Sequence, residues 1–373
     1  MKSIDNKNSE HHDKYTHSHN DVQNNVNQSY KVFGTYRFIL AIFVVMSHAS
    51  AWCQSISPFL LGNIGVLSFF VLSGFVIAEA IDIFYKKSIF RYAANRFLKI
   101  YPGYWCAAIM AVLVGFILDR PLRIDTVSII ANITIIASYF HKFNGLLYIS
   151  IAWAVVTELI FYILYGAFFL VKQKANIRYI IMVLLAICLI SVSVSIELTA
   201  QYYRWYSILR FSPYFICGVT GYFILAKGRN QLWWIMVPSL GAMFFSFWSY
   251  QGGGASALPS FVVFVISLAL FGILATVREV SPKFVRLDRR LGDYTYAIYL
   301  CHMPVIDMVT VTGLSDGSKF AVTLAVSIAV GMALNLLVER PVARLRNKVR
   351  KVSWDPVVVT GSSTEVLLQS HRD

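Results

Sequence analysis

The stretch YRFILAIFVVMSHASAW, Tyr36–Trp52, decides how the rest of the chain is read. It is apolar and long enough for a bilayer, whose hydrocarbon core takes about 20 helical residues to cross. Yet Arg37 stands near its start and His48 well inside it. Ionisable side chains in hydrocarbon cost several kcal/mol, by roughly 3 on insertion scales, and mark substrate or ion paths. Each alone has an ordinary explanation: snorkelling for Arg37, a packed and hydrogen-bonded ring for His48. Together they say more. Eleven residues at about 100° each bring both side chains to within about 20° of one helix face, a rise of roughly 16 Å apart. An anion held at Arg37 would reach His48 with its far end.

Composition puts the whole chain in lipid. Hydrophobic residues make up 57% and charged residues 14% of 373, with a mean hydropathy of +0.61. Apolar runs of spanning length fall at about 36–52, 62–81, 101–118, 146–171, 179–196, 205–226, 231–250, 257–277, 291–310 and 320–338. The run at 126–140 is short and contains Asn132, so it is expected to lie at the interface or re-enter. With the amino terminus inside, the inner connections hold 21 Lys plus Arg and the outer ones 5. That asymmetry follows the positive-inside rule at every crossing. It also accounts for the net charge of +14 without nucleic acid. The expectation is an all-α polytopic membrane protein of about ten transmembrane helices with both termini cytoplasmic.

Residues 1–30 are polar, Asn-rich and carry His11, His12, His17 and His19. They lack the apolar mass to fold and are expected to form a disordered cytoplasmic tail rather than a metal site. No cleavable signal peptide is expected before the first span. A transmembrane domain at 31–351 and a flexible tail at 352–373 complete the division, with no second soluble domain expected. The five cysteines are scattered singly, in no metal-ligand spacing, and are expected to be small buried hydrophobes.

Glu158 is the next anomaly, near mid-membrane in the run at 146–171. A carboxylate there must be protonated or paired, and pairing with His48 would give a couple suited to general-base chemistry. The stretch SIFRYAANRFLKIYPGYW (88–105) sets Arg91, Arg96 and Lys99 just before a span opening on Tyr101 and Pro102. Basic groups beside aromatics suit phosphate binding, and equally a positive-inside flank. In LGDYTYAIYLCHMPVIDMV (291–309), His302 and Asp307 diverge by about 140° on a helix and are not expected to pair.

Taken together, these segments resemble the acyltransferase-3 family of integral membrane proteins, which O-acylate sugars. YRFILAIFVVMSHA resembles the family's first-helix signature of a basic residue, ten others, then His, placing Arg37 and His48 on it. The resemblance continues through FFVLSGFVI (69–77), RFLKIYPGYW (96–105), WAVVTELIFY (153–162), LGDYTYAIYLCHMPV (291–305) and VERP (338–341). Two positions depart from the pattern: Ala154 replaces a usual Ser or Thr, and Cys301 a usual large residue.

The resemblance implies an acyl-CoA donor, usually acetyl-CoA, with no permanently bound cofactor. It implies a glycan or lipid-linked oligosaccharide acceptor, and a multi-pass protein of the bacterial inner membrane, with or without a separate periplasmic transferase. His48 and Glu158 would be catalytic, and Arg37, Arg96 and Tyr101 would hold the donor. Ser73, Trp153 and His302 are candidates for supporting roles. The competing expectation is a proton-coupled transporter or flippase of a lipid-linked glycan, for which buried Arg, His and Glu are equally suited.

Overall fold

The computed structural model describes residues 32–53, 58–85, 88–120, 124–135, 148–172, 183–192, 207–250, 258–277 and 280–350. Among these residues the regular elements are all helical. They are α1 (Gly34–His48), α2 (Pro58–Ala80), α3 (Ile89–Ile117), α4 (Thr126–Thr134) and α5 (Ala152–Lys172). After α6 (Val183–Val192) come α7 (Ser207–Lys227), α8 (Trp233–Tyr250), α9 (Leu258–Thr276), α10 (Pro282–Thr310), α11 (Asp316–Leu334) and α12 (Arg340–Arg350). A helix stands on each of the ten apolar runs, and the short α4 on the run left out of that count.

Seven of the described helical segments are long and apolar enough to cross a membrane, which makes this a multi-pass α-helical membrane protein. Of the rest, α1 and α6 are apolar but short, and the first half of α10 is strongly charged. The tails expected at 1–30 and 352–373 fall outside the described residues.

Two helices begin two turns or more before the start that hydropathy predicts. α3 starts at Ile89 rather than at Tyr101, because Ser88 caps it, its hydroxyl accepting from the Arg91 N–H at 3.4 Å. Pro102 is taken up inside the helix. α10 starts at Pro282 rather than at 291, with Ser281 as cap and proline in the first turn, where its missing N–H costs nothing. Arg96 and Lys99 therefore project from a helix, not from a loop leading into one.

α1 packs between α2 and α10. Against α2 it runs antiparallel, with Gly62 on Ser47 and Gly65 on Leu40 and Val44. Against α10 it runs parallel, Gly34 meeting Gly292 at one end and His48 meeting His302 at the other. A Cβ on Gly292 would sit 2.8 Å from the Gly34 Cα, and one on Gly34 would overlap the Asp288 carbonyl. Close contact through small residues is how helices gain packing energy in lipid, where the hydrophobic drive between them is absent. The first turn of α1 has no side-chain cap of its own. Asp288 supplies one from α10, accepting from the N–H groups of Gly34 at 2.9 Å and Thr35 at 2.7 Å. Deeper in, the Tyr36 hydroxyl bonds Ser267 Oγ at 2.9 Å and Ser68 Oγ lies 3.0 Å from the same atom, tying α1, α2 and α9 together.

Candidate active site

A cavity of about 230 Å³ is lined by residues of α2, α3, α5, α10 and α12 and by Arg37 of α1. Five cations line it: Arg37 from α1, Arg96 and Lys99 from α3, and Arg346 and Arg350 from α12. Glu158 is the one carboxylate among its lining residues.

The cations are poorly matched by anions. Arg96 is 7% exposed, lies over the rings of Tyr162 (5.2 Å) and Tyr92 (5.9 Å), and donates to Asn95 Oδ1 at 3.3 Å. The same amide oxygen takes Nη2 of Arg346 at 3.5 Å. Two guanidinium groups thus share one neutral acceptor. The Nε atoms of Arg37, Arg96 and Arg346 are all buried and unpartnered. Arg350 donates to the Tyr85 hydroxyl at 3.1 Å and lies over Phe84. Lys99 is paired with Glu339 at 3.8 Å. Buried donors without acceptors are costly, so this cluster is built for a charged ligand.

Glu158 sits on the α5 side of the cavity, its Oε1 accepting from Ser73 Oγ at 2.5 Å and from the Tyr162 hydroxyl. The expected pairing with His48 is not formed: among the described residues no hydrogen bond or ion pair joins Glu158 to His48. The parallel packing of α1 on α10 gives His48 a different neighbour, His302, with ring centroids 5.2 Å apart. His302 is fully buried. Its Nδ1 lies 2.6 Å from the Tyr299 carbonyl, which only accepts, so the proton is on Nδ1. Nε2 is then a lone pair, and it has no partner. Tyr299, which lines the cavity, packs its ring 5.8 Å from that of His302. Neither His48, which is exposed, nor His302 is among the cavity's lining residues; Tyr299 is what links the cavity to the histidine pair.

Other expected residues find lesser places. Ser73 lines the cavity through its bond to Glu158. Tyr101 is not a lining residue; it donates to the Thr134 carbonyl at 3.2 Å, stacks on Phe97, and serves to hold α4. Trp153 packs on Phe70 and Phe211, behind the wall. Asp307 pairs with Arg120 at 2.6 Å rather than with His302. Asn132, which marked α4 as non-spanning, takes the Tyr104 hydroxyl at 3.2 Å. Cys188, Cys217 and Cys301 are buried, as expected of small hydrophobes, while Cys53 and Cys106 are half-buried. Arg346 and Arg350 were not foreseen, because a basic stretch after a last span has the ordinary look of a positive-inside flank. Their i, i+4 spacing on one helix face was the available signal.

An acyltransferase domain model matches residues 35–340, most of the chain and all of the first-helix Arg–His pair. The chain belongs to the acyltransferase-3 family. That decides for an enzyme over a transporter: the protein is a membrane O-acyltransferase. Among acyltransferase-3 relatives, the exopolysaccharide production protein ExoZ of Rhizobium meliloti (strain 1021) is 26% identical over 314 residues, 79% of this chain and 93% of its own. The acyltransferase MdmB of Streptomyces mycarofaciens is 24% identical over 351 residues, 82% of this chain and 87% of its own. No solved structure matches the chain.

Proposed function

We propose that this acyltransferase carries an acyl group, acetyl in the first instance, from cytoplasmic acyl-CoA to a hydroxyl of a cell-surface or secreted glycan. The protein would sit in the bacterial inner membrane as ten spans with both termini cytoplasmic. The observation that carries this reading is the cation-rich cavity with Arg37 and Tyr299 among its lining residues, the Tyr299 ring packing on His302 and the His302 ring on His48.

CoA has a polyanionic head and a long neutral arm ending in the thioester. Arg37 and Arg96 hold the phosphates, with charge-assisted hydrogen bonds that replace the missing partners of their Nε atoms. The arm runs along α1 and brings the thioester to His48. There His48 takes the proton of the acceptor hydroxyl as its oxygen attacks the thioester carbonyl. The new C–O bond forms, the C–S bond breaks, and the departing thiolate receives that proton back from the imidazolium. His302, fully buried, backs His48 and acts through it. Glu158, held by Ser73 and Tyr162, offsets the charge of Arg96 at the cavity wall instead of orienting His48. An exopolysaccharide is the acceptor class supported by the name of the ExoZ relative.

The test is mass spectrometry of glycans from cells with the native gene, its deletion, or His48→Ala at matched protein level. Loss of one acyl mass in both mutants is expected, and the fragment bearing it identifies the acceptor. Full acylation by His48→Ala would remove the base assignment.

A further inference from the structure

The charge inside the cavity goes beyond what Arg37 and Arg96 require. Among the described residues five cations face Glu158, and counting Glu339, which pairs with Lys99, still leaves five against two, a surplus of three. A thioester on a carrier-bound phosphopantetheine brings a single phosphodiester charge and would leave most of that surplus buried. CoA brings two charges on its diphosphate and about 1.5–2 on its ribose 3′-phosphate at neutral pH. Only the second ligand matches the site.

The cations come from two parts of the fold. Arg37, Arg96 and Lys99 lie on α1 and α3, whereas Arg346 and Arg350 come from the helix after the last span and approach Asn95, which Arg346 shares with Arg96, and Tyr85 and Phe84. The partners of this second pair are neutral oxygens: Arg346 reaches Asn95 Oδ1 and keeps a buried, unpartnered Nε, and Arg350 reaches a tyrosine hydroxyl. Two arginines one helical turn apart, without a carboxylate between them, form a site for a phosphate monoester.

We infer that α12 is part of the donor site, with Arg346 and Arg350 binding the 3′-phosphate of CoA and so selecting soluble CoA thioesters over carrier-bound phosphopantetheine. This rests on the acyl-CoA reading above. The shared chemistry, a phosphate on paired guanidiniums, is also offered by anionic lipid headgroups. Binding is therefore measured in nanodiscs of zwitterionic phosphatidylcholine and again with phosphatidylglycerol added.

Full-length protein is titrated with CoA, 3′-dephospho-CoA and pantetheine. The native protein is expected to bind CoA at least tenfold tighter than 3′-dephospho-CoA. Arg346→Gln/Arg350→Gln is expected to erase that difference while leaving the affinity for 3′-dephospho-CoA within about twofold. Equal native affinities for CoA and 3′-dephospho-CoA in both lipids would overturn the inference and leave the CoA reading intact. So would an equal loss for both ligands in the variant, which means the arginines only brace α12. Arg350→Gln alone, which leaves the Arg346–Asn95 tether in place, decides the matter if the double variant does not fold. A preference for the 3′-phosphate that vanishes with phosphatidylglycerol assigns the pair to lipid headgroups and overturns the inference. Absence of binding by either nucleotide in the native protein would instead remove the acyl-CoA reading itself.

Discussion

Asp288 caps the first helix of this enzyme from across the fold, its two carboxylate oxygens 2.9 and 2.7 Å from the backbone nitrogens of Gly34 and Thr35. The consequence is one of register. α1 has no cap of its own, and the bond to α10 fixes where α1 starts relative to α10. About four turns further along each helix, that register brings His48 beside His302.

Asp288→Ala should therefore cost stability and activity together. Losing a cap is worth about 0.5–2 kcal/mol, which appears as a lower unfolding temperature in nanodiscs. Asp288→Asn keeps one acceptor and should recover most of the unfolding temperature. If both variants unfold like the native protein, the cap is not what holds α1.

Replacing His48 with Ala should lower transfer by about 10²–10⁴-fold, the usual worth of a positioned general base, with unfolding unchanged. His302→Gln should lose less, because its ring acts through its neighbour. A single-turnover acyl-transfer assay on both variants orders the two losses. The reverse order would make His302 the base.

At Glu158 the geometry separates two roles. If the carboxylate oriented His48, Glu158→Gln would lose about as much as a triad carboxylate does, some 10⁴-fold. As placed, it accepts from Ser73 and Tyr162, so Gln should stay within about tenfold in kcat, since an amide oxygen still accepts both. Glu158→Ala should instead cost about 1–3 kcal/mol of stability, having stranded two hydroxyls. Kinetics and melting of the pair of variants check both statements.

Arg96→Lys tests the buried guanidinium. Lysine keeps the charge and loses both the forked donors and the stacking on Tyr162 and Tyr92. The expected result is a KM for acyl-CoA raised about tenfold, with kcat changed by less than threefold. A fall in kcat at constant KM would place Arg96 at the reacting carbonyl.

How far the sequence went can be seen residue by residue. Arg37 and His48 share a helix face by arithmetic alone, because both lie on one element with a fixed 100° step. Each apolar run carries a helix for a similar reason: in lipid the backbone must satisfy itself within the segment. The basic character of the Arg96 cluster was equally plain. Those are local properties, and local chemistry decides them.

What no local rule could decide was which helix meets which, and at what height. Glu158 and His48 both looked central, but the glycine contact of Gly34 with Gly292 and the cap from Asp288 set α1 against α10, giving His48 a histidine for a neighbour. Tyr101 stood beside the right arginines in sequence, and the packing of α3 on α4 takes its hydroxyl to the Thr134 carbonyl. Arg346 and Arg350 lie some 250 residues from Asn95 and Tyr85, at separations of 251 and 265. Periodicity fixes directions within one helix; close packing between helices, made by small residues and a few buried hydrogen bonds, fixes which side chains share a cavity.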